Sequence, residues 1–383
     1  MMRSLAIWGI SAVLLFGHGN IHESSSSDNG FNANYFLDIQ MATPSPEDQS
    51  MQSLIREPHI DKVKEEPTLI EITSLLNYKR DVFESQLTLS YHEHSGETKV
   101  DELIEEAWFS VKQEQYSFLM GRFISQAIGG STRIGEFIEY PLIDQILFDA
   151  YFRVEGLQVT KEVASWKMRA EVFGKNEEIL IGSNRFGVGG ASFSLSRELE
   201  NQSISFLYVG YNSENRLFEA GGGHGHEHAK NSADCITGEL GENCIDNTID
   251  YAAFSLSTTI DAWKTLGSVY VLQERAIVET KDFLVDLENN AFGLYLQSSY
   301  TFNKKWDVSL RGDYHQHGYE IIGSGASSVQ ESLGLVNINN LHRMTTGISY
   351  KGFNNQKLRL ELIRDNVYAD IETRTVLQYL VSF

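Results

Sequence analysis

The stretch KWDVSLRGDYHQH (Lys305–His317) alternates residue by residue. Trp306, Val308, Leu310 and Tyr314 fall on one side, and Asp307, Ser309, Arg311, Asp313, His315 and His317 on the other. A period of two sends successive side chains to opposite faces of an extended chain, so this segment is a strand with one apolar and one charged face. VFESQLTLSYHEH (Val82–His94) repeats the pattern, with Phe83, Leu87, Leu89 and Tyr91 opposed to Glu84, Gln86, Thr88, Ser90, His92 and His94. SWKMRAEVF (Ser165–Phe173) does the same on a smaller scale. Alternation alone also suits a soluble sandwich whose polar face meets water. The number and length of the strands decide between the two.

About sixteen such segments of roughly 9–13 residues follow one another, the length that crosses a bilayer at a barrel's tilt. They begin near Phe31, Thr68, Val82, Glu102, Gln115, Arg153, Ser165, Gly187, Gln202, Asn247, Leu266, Asn290, Lys305, Leu341, Lys357 and Asp370. Connections after even-numbered segments are tight, as in YKRD (Tyr78–Asp81), while most odd-numbered ones are followed by long loops, notably 42–67, 125–152, 213–246 and 319–340. Short turns at one end and long loops at the other are the asymmetry of an outer-membrane barrel. The expected fold is therefore all-β, a transmembrane antiparallel barrel of about sixteen strands with short periplasmic turns and long extracellular loops.

The ends of the chain agree. Arg3 followed by the apolar run Leu5–Phe16 and the Ser24–Ser27 tract has the layout of a cleaved secretory signal. The expected division is a signal peptide at 1–23, a Ser-rich segment at 24–30 and a barrel at 31–383. The last strand, TVLQYLVSF, ends on Phe383 after Val381, Tyr379 and Leu377. That resembles the signal by which barrel-assembly machinery receives its clients.

Composition excludes other classes. The 383 residues carry 31 Lys and Arg against 52 Asp and Glu, a formal charge of −21, which leaves no broad basic face for nucleic acid. A mean hydropathy of −0.26 is too low for a bundle of membrane helices. An aromatic content of 11 % is too high for a disordered acidic chain. The sequence contains no G-x-S-x-G, H-E-x-x-H or G-x-x-x-x-G-K motif, so no enzyme is expected.

FNANYFLDIQ (Phe31–Gln40), LSYHEHSGETKVDELIEEAWF (Leu89–Phe109), GRF (Gly121–Phe123), YPLIDQ (Tyr140–Gln145) and EGLQV (Glu155–Val159) resemble a porin-like family of Gram-negative outer-membrane proteins often linked to zinc uptake. The likeness covers residues 31 to about 175 in pattern and the remainder by architecture. Members tend to carry histidines after GRF, whereas this chain reads SQAIGGSTRIGEFIEYPL (Ser125–Leu142) there.

The histidines cluster toward the loop end. His92 with His94, and His315 with His317, form H-x-H pairs on lumen faces, where two imidazoles would project about 7 Å apart. GGGHGHEHAKN (Gly221–Asn231) adds His224, His226 and His228. These seven are the candidate metal ligands, for transient Zn2+ and with no required cofactor; the alternative is that they are polar residues in polar places. Cys235 and Cys244, the only two cysteines, are expected to form a disulfide within one long loop. Connection 125–152 is the third long loop, which in general porins folds into the pore, and Arg133, Glu136, Glu139 and Asp144 would line it by that analogy. Glu84, Glu106, Lys112, Arg122, Lys167, Arg169, Glu171, Asp307, Arg311, Asp313, Arg359 and Glu361 are the expected lumen charges.

The sequence thus supports an outer-membrane channel for small solutes, cations foremost, with a His-rich exterior. Its expected partners are outer-membrane lipid, the assembly machinery, solutes or metal ions, and no nucleic acid; a homotrimer is one assembly open to it. A surface metal-binding or adhesive barrel with a closed lumen is the alternative.

Overall fold

The computed structural model describes residues 30–43, 68–92, 104–125, 137, 141–142, 153–174, 188–219, 242–279, 283–332, 340–353, 355–368 and 370–382. They form β1 (Gly30–Thr43), β2 (Thr68–Arg80), β3 (Phe83–His92), β4 (Ile104–Gln113), β5 (Tyr116–Ile124), β6 (Arg153–Val163), β7 (Trp166–Phe173), β8 (Val188–Glu198) and β9 (Gln202–Glu219). β10 (Glu242–Ile260), β11 (Trp263–Glu279), β12 (Leu284–Asn303), β13 (Trp306–Gln316), β14 (Tyr319–Ile322), a short helix α1 (Ala326–Ser332), β15 (Leu341–Phe353), β16 (Gln356–Tyr368) and β17 (Asp370–Ser382) follow. The expected signal peptide lies outside the described residues, as does Phe383.

Apart from β14, each strand pairs antiparallel with the next in sequence, β13 pairing with β15, and β1 pairs with both β2 and β17, which closes the sheet. β14 continues β13: both run along β12, β13 beside Phe292–Asn303 and β14 beside Asp286–Asn289. The 17 strands are therefore sixteen staves of one closed barrel. Closure leaves no unpaired edge along the membrane, the condition for a sheet in lipid.

One end carries the tight turns, including 81–82, 114–115, 164–165 and 261–262. Asp81, Glu114, Ala164, Asp261 and Asn355 sit there with φ of 52°, 51°, 52°, 51° and 60°. Asp and Asn tolerate this left-handed region, whereas Glu114 and Ala164 occupy it against their preference.

The outward half of each strand is apolar. Near the turns, Trp263 packs on Tyr300 with ring centroids 4.7 Å apart and Trp306 on Tyr350 at 4.5 Å. Toward the loops, Phe292 meets Tyr314 at 5.8 Å. Exposed Val269, Val271, Leu294, Leu296, Val308 and Leu310 lie between these aromatic rings. From Trp306 to Tyr314 the tilted strand climbs about 20 Å, close to the apolar band and paired aromatic girdles of an outer-membrane barrel.

The wall is uneven. β9 to β12 have 18, 19, 17 and 20 residues, against 10, 9, 11 and 8 for β4 to β7. Beyond the upper aromatics the polarity reverses. Asp250, Arg275, Asp286 and Glu288 face out, while Ala276, Val278, Val285 and Leu287 face in and pack on Val329 of α1.

Candidate functional site

The connection between β5 and β6 enters the lumen. At its root, Ser125 Oγ donates to Glu171 Oε2 on β7 at 2.6 Å. Glu171 is also held by Gln158 Nε2 at 2.8 Å and Ser192 Oγ at 2.8 Å, so a nearly inaccessible carboxylate has donors on both oxygens. Further along, the Phe137 carbonyl accepts from Arg359 Nη1 on β16 at 3.2 Å, and the Phe137 ring lies 4.7 Å from the Arg311 guanidinium on β13. The Leu142 N–H donates to Asp313 Oδ1 at 3.3 Å.

β7 and β16 are eight staves apart in a ring of sixteen, which places Glu171 and Arg359 on opposite walls. Such a barrel is about 30 Å across, and a chain extending about 3.3 Å per residue covers that span between Ser125 and Phe137. The described residues of the connection are therefore held at opposite walls, Ser125 at Glu171 and Phe137 with Leu142 at Arg359 and Asp313. Arg133, Glu136, Glu139 and Asp144, expected to line it, lie outside the described residues.

The receiving wall is an ion-pair network. Arg311 Nε contacts Asp313 Oδ2 at 2.9 Å, Arg343 Nε contacts Asp365 Oδ2 at 2.8 Å, and Arg374 Nη2 reaches the same Asp365 oxygen at 3.4 Å. Asp313 stands directly opposite Arg343 across β13 and β15, which joins the two groups of charges into one row. Arg311, Arg343 and Arg359 are only 1 %, 2 % and 1 % exposed. In low dielectric such charges persist only when paired. Of the expected lumen charges, Asp307, Arg311, Asp313, Arg359 and Glu361 are buried on this wall and Glu171 on the opposite one. Arg122 is a correction. It pairs across the sheet with Ala107 and Glu155, while its neighbour Phe123 belongs to the buried cluster inside, so Arg122 faces outward. The GRF segment simply starts its alternation one residue out of step with that assignment.

The opposite chemistry covers the tall wall. Val209, Tyr211, Ile249, Tyr251, Tyr270, Leu272 and Tyr295 point inward and form one apolar cluster with Leu142 of the crossing connection. Gly293 makes room for Tyr270, since a Cβ there would collide with the Tyr270 ring and the Tyr314 carbonyl.

His315 and His317 come together more closely than a regular strand allows. Their rings are 4.2 Å apart and nearly perpendicular, with His315 Nε2 3.2 Å from His317 Nδ1. β13 ends at Gln316 and β14 resumes at Tyr319, so His317 falls in the break and folds back, which corrects the 7 Å expectation. His315 Nδ1 lies 3.0 Å from Tyr270 Oη, and Tyr319 stacks on His317 at 5.3 Å. Burial lowers the His317 pKa from 6.5 to about 4, so the ring is neutral at neutral pH. His92 closes β3, and its side chain, like His94, His224, His226, His228 and Cys235, lies outside the described residues; Cys244 is described only as backbone in β10. Tyr270, Arg343, Asp365, Arg374, Phe137 and Leu142 were not singled out by sequence, although each of the first four occupies an inward period-two position.

No family model and no curated protein matches the chain. Solved structures do. OmpT, an outer membrane protein of Vibrio cholerae solved in a trimer form, superposes with a TM-score of 0.58 at 11% identity over 93% of this chain and 100% of that one. The outer membrane channel DcaP of Acinetobacter baumannii gives 0.56 at 10% identity over 92% and 97%. OmpF of Salmonella typhi, solved with daunomycin, gives 0.56 at 11% over 93% and 98%. The fold is that of the porins. In this porin-like barrel Ser125, Phe137 and Leu142 with the two walls that hold them define the candidate site.

Proposed function

We propose that the protein is an outer-membrane channel of Gram-negative bacteria that passes small solutes through a lumen narrowed by connection 125–152. The observation that carries this reading is the anchoring of that connection at Glu171 and its docking on Arg359, Arg311 and Asp313 across the barrel. A span held at both sides divides the cross-section and leaves a passage narrower than the barrel. Planar-bilayer recording of the folded, purified protein tests it. Discrete unitary currents are expected; their absence at saturating insertion would leave the closed-lumen surface barrel in its place. That second reading is favoured by the apolar lining of the tall wall, which a wide aqueous pore would not tolerate.

Cation preference is a finer proposal, supported by the net charge of −21. The described wall β13–β17 is balanced, with Arg311, Arg343, Arg359 and Arg374 set against Asp307, Asp313, Glu361 and Asp365, so any preference arises mainly beyond it. A reversal potential in a salt gradient decides the sign. Capture of Zn2+ by His224, His226 and His228 is likewise proposed from their spacing, and calorimetry on the triple alanine variant tests it. Trimer assembly is supported by the trimeric OmpT form alone and is read by native mass spectrometry. Recognition of the final strand by the assembly machinery rests on Phe383, and Phe383→Ala is expected to lower the folded yield.

A further inference from the structure

The geometry points to an anion-collecting vestibule at the turn end of the lumen, formed by a ring of lysines and a belt of serines. Its ligands are small hydrophilic anions that carry phosphate or carboxylate groups. The vestibule rests on the channel reading and names a solute class for the end of the passage opposite the long connections.

Every lysine among the described residues lies at the turn end of the barrel. Six of them face the lumen. Lys79, Lys112, Lys167, Lys264 and Lys357 each sit one residue inside the turn end of their strand, and Lys351 sits two inside. Alternation sets their direction: Lys167 shares a face with buried Glu171, Lys264 with Tyr270 and Lys357 with Arg359. Lys351 Nζ meets inward Asp307 at 2.6 Å. The strands β2, β4, β7, β11, β15 and β16 are spread around the closed sheet, so the six make a ring and not a patch.

The inward carboxylates at this level are fewer, namely Glu84, Glu162, Glu198 and Asp307. Lys167 Nζ lies 3.3 Å from Glu162, and Lys79 stands directly opposite Glu84. At the rim below, Asp81, Glu114, Glu200 and Asp261 are set against Arg80, Lys304 and Lys305, close to balance. The turn end thus carries no acid excess in a chain of formal charge −21. That excess lies in the long connections, where 44–67, 93–103, 125–152 and 220–241 each hold more Asp and Glu than Lys and Arg. A confined mouth lined with one sign of charge concentrates the opposite ion, and lysine rings suit anion and phosphate passage. Lysine also fits the place. Its compact, hydrated charge on a flexible stem stays in water, whereas the planar arginines deeper in the lumen are locked on Asp313 and Asp365.

The second observation is the wall between the lysines. On β8–β10 the inward side chains at this end are Ser194, Ser196, Ser203, Ser205, Ser255 and Ser257, all half-buried. Higher on the same strands Val209, Tyr211, Ile249 and Tyr251 are closed off. The accessible part of this wall is therefore its hydroxyl-lined turn end. Ser203 Oγ lies 2.6 Å from Ser257 Oγ, and Ser255 Oγ donates to Ser268 Oγ at 2.9 Å. Hydroxyls can turn to donate to a phosphate or carboxylate oxygen, and they bring no charge that would repel it.

The test uses the full folded barrel in detergent, with tripolyphosphate as the probe and calorimetry as the readout. Binding is expected at about 0.1 M salt and should disappear at about 1 M, where the screening length shrinks from about 10 Å to about 3 Å. Lys112→Gln/Lys264→Gln should weaken it about tenfold. Lys161→Gln/Arg197→Gln removes the same charge from the outer face, where Lys161 covers Tyr116 and Arg197 covers Trp166, and should leave binding unchanged. Strand content by circular dichroism confirms folding of each variant. No binding by the native barrel, or an inner variant that binds no more weakly than the outer one, would overturn the vestibule. In planar bilayers tripolyphosphate is expected to interrupt the unitary current from one chamber only, and equal interruption from both would also overturn it. Unitary currents without the probe report the channel reading separately: a silent barrel that still binds tripolyphosphate keeps the vestibule and loses the channel.

Discussion

Two walls of this barrel share an outward face and differ inside. β9–β12 and β13–β17 both turn apolar side chains to lipid between aromatic girdles. Inside, β9–β12 present Val209, Ile249, Tyr251, Tyr270 and Leu272, whereas β13–β17 present Arg311, Asp313, Arg343, Arg359, Asp365 and Arg374. Period two is thus sufficient to make a membrane wall, and the inward half is free to carry a different task. One wall packs against what enters the lumen, and the other grips it by charge and hydrogen bonds. Leu142 uses both, with its side chain in the apolar cluster and its N–H on Asp313.

The contrast is open to breakage at several points. Arg343→Ala removes the centre of the charged row and leaves Asp365 underpaired in a site with side-chain exposures of 0% and 2%. A loss of about 3–5 kcal/mol is expected on unfolding in lipid vesicles. A loss below 1 kcal/mol would mean that water screens this wall after all. On the anchoring side, Glu171→Ala strands the donors of Ser125, Gln158 and Ser192. It is expected to cost about 2–3 kcal/mol and to raise protease sensitivity between β5 and β6. Gly293→Ala on the tall wall forces Tyr270 off its seat, with an expected cost of about 1–3 kcal/mol for overpacking. The smallest effect belongs to the turn end, which neither wall's chemistry touches. Ala164→Gly relieves a left-handed φ of 52° and should gain about 0.5–1 kcal/mol, with a smaller gain for Asp81→Gly.

Sequence carried the barrel well and its interior poorly, for identifiable reasons. Strand starts were legible wherever an apolar outer face met a polar inner one, as at Thr68, Arg153, Gln202, Leu341 and Asp370. β10 and β12 begin at Glu242 and Leu284, ahead of the expected Asn247 and Asn290. Above the upper girdle their polarity is inverted, so the lipid signature that marks a strand is missing there. The charged row was half legible. Arg311 and Asp313 lie on one strand two residues apart, but their coupling to Arg343 and Asp365 depends on register between strands, which no local pattern encodes. Phe137 and Leu142 were overlooked because they are apolar residues in a polar loop, and only the opposite wall gives them meaning. The histidine pair was found as a motif, while its 3.2 Å approach required the break between β13 and β14.

The most direct measurement compares unitary conductance in planar bilayers of the native barrel and a Phe137→Gly/Leu142→Gly variant. These two residues dock the connection, and neither belongs to a strand. The account predicts small discrete currents from the native protein and a clearly larger unitary step from the variant, at unchanged strand content. Identical steps from both would contradict a passage narrowed by connection 125–152, and silence from both would contradict a channel.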